Sequence, residues 1–248
     1  MKYKKTRSIA RLDIKNDYVI KGIHLEGLRK VGKPKELVKK YYEEGINEIF
    51  LNDCVASLYG RNNLFSLIKD ISKFCFIPIT VGGGIRNLED VEDALNSGAD
   101  KVYINSEIVK NPKLISKVIQ KYGSSTLVVG IDCKLVEPKN WKVLIESGRE
   151  ETGLDAKEWI VKLSEYGVGE IVITSIDNEG TKKGFDIELV KMANEFSRVP
   201  IIISGGCGNL DHILEINNIN PEAIAFASVL HYGIIDISTI NNNLVWLK

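Results

Sequence analysis

Eight apolar, strand-like runs alternate with helical patterns, the chain echoes itself about its midpoint, and polar residues gather just after the strands. Together these observations predict an α/β fold, a (β/α)8 TIM barrel made of two similar half-barrels, about residues 1–122 and 123–248. A doubly wound open sheet is the rival architecture. Eight repeating units and a twofold echo favour a closed sheet over it.

In chain order, strands are expected at 8–14, 48–54, 76–81, 101–104, 126–133, 170–175, 200–204 and 223–227, where apolar and β-branched residues cluster. Helical periodicity falls at 34–44, 64–74, 88–97, 112–122, 155–166, 187–196 and 210–216. Gly45, Gly98, Gly123 and Gly167 stand where helix C-caps would fall. The echo is explicit in the residues. Pro78-Ile79-Thr80-Val81-Gly82-Gly83-Gly84 returns 122 positions later as Pro200-Ile201-Ile202-Ile203-Ser204-Gly205-Gly206. Leu12-Asp13-Ile14-Lys15 is echoed by Ile131-Asp132-Cys133-Lys134, and Asn105-Ser106 by Ala227-Ser228.

A glycine turn between a strand and a helix presents bare backbone N–H groups to an anion. Alone it is a weak signal, since such turns also serve packing. Here it occurs twice, and in a barrel both turns lie on the C-terminal rim, implying an elongated substrate with a phosphate at each end. Asp13 and Asp132 would project from the first and fifth strands between the two cradles. Paired carboxylates in different surroundings suit general acid and general base roles, although an isolated aspartate at a strand end often only caps a loop.

Composition narrows the class. The 248 residues carry 33 basic and 33 acidic side chains, so no global field points to nucleic acid or an anionic membrane. The basic start (Lys2, Lys4, Lys5, Arg7) lacks a following apolar region and is expected to be a solvated tail except at Arg7. No run approaches the length of a membrane span. Cys54, Cys75, Cys133 and Cys207 have no metal-ligand spacing, which fits reduced thiols in a cytoplasmic protein with no metal or other cofactor. His24, His212 and His231 are scattered and suggest no site.

Several ordered motifs carry a resemblance: Val19-Ile20-Lys21-Gly22, Glu26-Gly27-Leu28-Arg29, Thr80-Val81-Gly82-Gly83-Gly84-Ile85-Arg86, Gly98-Ala99-Asp100-Lys101-Val102, Thr174-Ser175-Ile176-Asp177 and Glu179-Gly180-Thr181-Lys182. Over almost its whole length the chain resembles the cyclase subunit of imidazole glycerol phosphate synthase. The resemblance implies that a glutaminase subunit docks on the N-terminal face and releases ammonia through the barrel. Ammonia then converts a bis-phosphorylated formimino ribonucleotide into imidazole glycerol phosphate and an aminoimidazole carboxamide ribonucleotide. It further implies that Asp13 and Asp132 are the acid–base pair and that Lys21 closes over the substrate. Gly84, Asn105 and Ser106 would hold one phosphate; Gly180, Gly206, Ala227 and Ser228 the other. Arg7, Glu48, Lys101 and Glu170 match a ring of charges around the ammonia entrance, although strand-start charges also serve as plain plugs of a barrel floor.

The departures from the family concentrate on the inward positions. Alternation along a strand puts Arg7, Ile9 and Arg11 on the same face as Asp13. The family usually has a small residue where Arg11 and Tyr103 stand, aliphatic residues where Phe50 and Asn52 stand, and aspartate in place of Glu179. An arginine inside a barrel is costly unless paired; Asn52, Tyr103 and the aspartates are candidate partners, with Gly130 leaving room for the guanidinium. Two accounts follow: a histidine-pathway cyclase with a rebuilt tunnel, or a paralogue that uses glutaminase-derived ammonia to amidate a surface sugar. A non-catalytic subunit that only activates its glutaminase is a third.

Overall fold

The computed structural model describes residues 4–54 and 64–247; Lys2, part of the basic start, lies outside them. Eight strands form the barrel: β1 (Arg7–Lys15), β2 (Glu48–Asp53), β3 (Ile79–Gly82), β4 (Lys101–Ile104), β5 (Leu127–Glu137), β6 (Glu170–Ser175), β7 (Ile201–Ser204) and β8 (Ala223–Phe226). Each pairs in parallel with the next, and β8 pairs with β1, so the sheet closes and the open-sheet rival is excluded. Around it lie α1 (Pro34–Glu43), α2 (Leu64–Ile71), α3 (Leu88–Asn96), α4 (Lys113–Tyr122), α5 (Ala156–Tyr166), α6 (Ile187–Phe196), α7 (Leu210–Asn217) and α8 (Ile237–Asn243).

Local chemistry sets the helix ends. Asn87, Asp155, Asp186, Asn209 and Asp236 each cap a helix by accepting from backbone N–H groups of its first turn. Gly167 ends α5 in the left-handed conformation (φ 73°), as its place in the sequence suggests. Strand period then divides the apolar residues into two separate cores. Leu12, Leu51, Val81 and Val102 face outward onto the helices, while Ile9, Phe50, Tyr103, Val128, Val172 and Ile202 fill the barrel lumen.

Three features differ from expectation. The third strand starts at Ile79 rather than 76; Phe76 is 77% exposed and lies outside the sheet. Helix α8 and two short helices, Ser106–Lys110 and Ser228–His231, were not anticipated, because runs such as Ile237-Ser238-Thr239-Ile240 are too short and polar to show a period. Two antiparallel excursions were also missed. After β1 come strands Tyr18–Ile23 and Glu26–Gly32, and after β5 come Asn140–Ile145 and Glu150–Asp155. These excursions occupy corresponding places, four barrel strands apart, and both stand over the C-terminal mouth that contains the candidate site.

Candidate active site

The mouth holds a cavity of about 330 Å³. Its floor is made by Asp13 at the end of β1, Asp132 on β5, and Asn52, Tyr103 and Asn105 from β2 and β4. Gly83 and Gly84, with positive φ, form part of the wall; a Cβ on Gly83 would stand 2.2 Å from the Asp53 carbonyl oxygen, so only glycine fits there.

Both aspartates are buried, and their surroundings differ. Asp13 Oδ1 accepts from Arg11 Nε at 3.2 Å and from Asn52 Nδ2 at 3.2 Å. Burial pushes its carboxyl up, but Arg11, Lys21 and Asn52 outweigh that and hold it below the usual carboxylate range. Asp132 Oδ2 accepts one side-chain hydrogen bond, from Asn105 Nδ2 at 2.9 Å. Burial there is only partly offset by Arg11 and Asn105, and the carboxyl is raised to about 6.

Lys21 lies in the first excursion, buried and ion-paired with Glu179; burial brings its ammonium down to about 8. The same excursion is tied to the loop after β6, where His24 N–H donates to the Glu179 carbonyl at 2.8 Å. Gly180 lies so close beneath it that a Cβ would stand 2.1 Å from the Gly22 carbonyl oxygen. Of the residues expected around phosphates, Gly84, Asn105 and Ser106 line the cavity, whereas Gly180, Gly206, Ala227 and Ser228 do not. The first excursion stands on the loop that carries Gly180.

The interior positions singled out in the sequence resolve differently from expectation. Arg11 is buried, with Nη1 donating to Thr174 Oγ1 at 3.2 Å and Ser204 Oγ at 3.1 Å, and its guanidinium carbon 5.3 Å from the Phe50 ring centre. Of the partners suggested by sequence only Asp13 bonds it; Asn52 turns to Asp13 instead, and Tyr103 Oη receives a hydrogen bond from Asn105. The room over Gly130, anticipated for the guanidinium, is filled by Tyr103, whose hydroxyl would be 2.1 Å from a Cβ there. Lys110, Glu146 and Arg149 also line the cavity and were not singled out in the sequence; Glu146 and Arg149 arrive on the missed second excursion. At the opposite end of the barrel, Arg7 pairs with Glu48 and Glu170, and Lys101 Nζ lies 2.7 Å from Glu170 and 3.4 Å from Glu48.

A closed (β/α)8 barrel with two buried carboxylates and a glycine turn around one C-terminal cavity defines an enzyme of the barrel class acting on a small polar molecule. Comparison with known proteins narrows this. The histidine biosynthesis protein family matches residues 7–236, and the chain belongs to that family. It is similar to imidazole glycerol phosphate synthase subunit HisF of Legionella pneumophila, 51% identical over 205 residues, covering 83% of this chain and 97% of that one. The protein of the same name from Pyrococcus furiosus is 44% identical over 227 residues, covering 92% and 90%. That from Dictyoglomus turgidum is 40% identical over 246 residues, covering 98% of each. Among the described residues no helix is long and apolar enough to cross a membrane.

Proposed function

We propose that this chain is the ammonia-dependent cyclase subunit of an imidazole glycerol phosphate synthase. It takes the bis-phosphorylated formimino ribonucleotide and ammonia to imidazole glycerol phosphate, the aminoimidazole carboxamide ribonucleotide and water. The observation that carries the reading is the pair of buried carboxylates, Asp13 and Asp132, on opposite strands of one cavity and in opposite electrostatic surroundings. Ammonia adds to the ketone carbonyl, whose oxygen needs a proton to leave as water. The resulting nitrogen closes on the formimino carbon, which must shed the carboxamide ribonucleotide. Both stages move protons in and out of the same small volume, as an acid and a base facing one cavity can do.

Gly84 and Ser106 would seat one phosphate through backbone N–H groups. The Asn105 side chain is already engaged with Asp132, so its part there falls to the main chain. Gly180, Gly206, Ala227 and Ser228 would seat the other phosphate once the Tyr18–Gly32 excursion lifts from Gly180. Lys21 would then exchange Glu179 for the substrate and exclude water from the intermediates. The corresponding excursions after β1 and β5 support residues 1–122 and 123–248 as two copies of one half-barrel.

The relatives are named as subunits, which supports assembly with a partner. We assign that partner as a glutaminase docking on the N-terminal face around Arg7, Glu48, Lys101 and Glu170. Phe50 and Tyr103, edge to face at 4.8 Å, stand in the lumen above that ring, so ammonia transit requires them to shift.

The test gives purified protein the histidine-pathway substrate with ammonium chloride and no partner. Imidazole glycerol phosphate is expected, and its formation is expected to vanish in Asp13→Asn and in Asp132→Asn. Absence of product from the unaltered protein overturns the reading.

A further inference from the structure

Arg11 is buried in the barrel lumen beneath the mouth, bonded to one of the two aspartates. Its guanidinium is fixed on three sides: Nε to Asp13, Nη1 to the Thr174 and Ser204 hydroxyls, and one face toward Phe50. A buried guanidinium must be paired, and the one carboxylate that Arg11 bonds is Asp13. A charge held this firmly acts on whatever carboxylate it touches, and it touches Asp13 while bonding nothing of Asp132.

We propose that Arg11 is a positioning residue that dedicates Asp13 to the carboxylate role, making it the general base of the pair and leaving Asp132 as the proton donor. The inference rests on the cyclase reading and adds the division of labour within it. The groups around Asp13 are Arg11 on its own strand, Asn52 from β2 and Cys54 just after it, Tyr103 from β4, Asp132 from β5, Lys21 from the first excursion, and His231 from the short helix after β8. Two cations face the carboxylate. Lys21 is also paired with Glu179 and lies on the excursion proposed above to lift for the second phosphate, so Arg11 is the cation that stays under that reading. In the addition step Asp13 takes a proton from the attacking nitrogen and Asp132 gives one to the ketone oxygen, forming a carbinolamine. A proton passed from Asp13 to Asp132 resets the pair. A second such transfer from nitrogen to oxygen breaks the C–O bond, releasing water and leaving the imine, with no other reactant needed.

The experiment compares the unaltered protein with Arg11→Met, which keeps length and removes charge, and with Arg11→Lys, which restores charge without the fork. Ammonium-driven turnover is followed from pH 3.5 to 8, because the Asp13 limb of the unaltered protein lies below the usual carboxylate range. Arg11→Met is expected to lose about 10- to 100-fold in kcat with KM changed less than about threefold, and its acid limb is expected to move up by about one pH unit or more. Arg11→Lys should return the limb toward its original position and recover most of the lost kcat. A folded Arg11→Met with unaltered kcat and limb overturns the proposal, as does a loss of kcat with no movement of the limb. In parallel, the Asp13 carboxyl is titrated by 13C NMR in the unaltered protein and Arg11→Met, which requires no turnover. An Asp13 midpoint that rises by about one unit or more shows that Arg11 holds the carboxylate even if the cyclase assay fails, in which case the cyclase reading falls and the pairing stands; an unmoved midpoint overturns the proposal whatever the assay gives.

Discussion

Asp132 is buried with a single side-chain donor, Asn105, and its carboxyl holds its proton to about pH 6. An unfolded aspartate releases its proton near 3.9. Because the folded value is the higher one, the folded state gains from this group only below the unfolded value; stability falls as pH rises from about 4 to about 6 and stays reduced above. Asp132→Asn removes that penalty while keeping an oxygen to accept from Asn105. The variant is expected to be more stable than the unaltered protein by about 1–3 kcal/mol at pH 7.5, with the gain gone below about pH 4. Its turnover is expected to fall by about 100-fold or more. Urea unfolding at the two pH values checks the first claim, and a variant no more stable at pH 7.5 would show that the carboxyl ionises there without penalty.

At the scale of single strands, β4 and β5 meet through one steric complement. Tyr103 replaces the small residue expected by resemblance, and the space it takes is the space that Gly130 and Gly82 leave: a Cβ at Gly130 would be 2.1 Å from the tyrosine hydroxyl, and one at Gly82 would be 2.4 Å from the ring. The Tyr103 ring also packs edge to face on Phe50. With the ring buried in the lumen, it cannot step aside without disturbing β2. Gly130→Ala is therefore expected to cost about 1–3 kcal/mol in urea unfolding. In the background Tyr103→Ser the same change is expected to cost less than half as much, a coupling that a double-mutant cycle measures. Additive costs would place Tyr103 elsewhere. The sequence made the position of Gly130 legible through strand alternation, since it lies two residues before Asp132, yet the expectation that the Arg11 guanidinium would use the vacancy was wrong: Tyr103 fills it. Alternation reports which face a residue takes; lateral choice among neighbours depends on rotamers that no period encodes.

For the whole molecule, closure was readable because it follows from eight units and an internal echo, and both aspartates fell on one rim for the same reason. The two excursions were not readable: their strands are short and polar on one side, and Lys110, Glu146 and Arg149 went unnoticed partly on that account. The opposite end of the barrel supplies a test at this scale. Arg7, Lys101, Glu48 and Glu170 balance two cations against two anions across β1, β2, β4 and β6, far from the mouth in strand order. Both glutamates are buried, so removing one cation strands negative charge where water reaches poorly. Arg7→Met is expected to destabilise the isolated chain by about 3–5 kcal/mol near pH 7. Burial raises the Glu170 carboxyl, but Arg7 and Lys101 outweigh it and hold it below its ordinary value. Its contribution is thus present above the unfolded carboxylate range and lost as pH falls through the lower folded value. The gap between Arg7→Met and the unaltered protein should accordingly narrow below about pH 4. Urea unfolding across that window measures it. A ring that served only to receive a partner would leave the isolated chain's stability unchanged on this substitution, whereas a ring that also ties the four strands together gives the loss and its acid dependence.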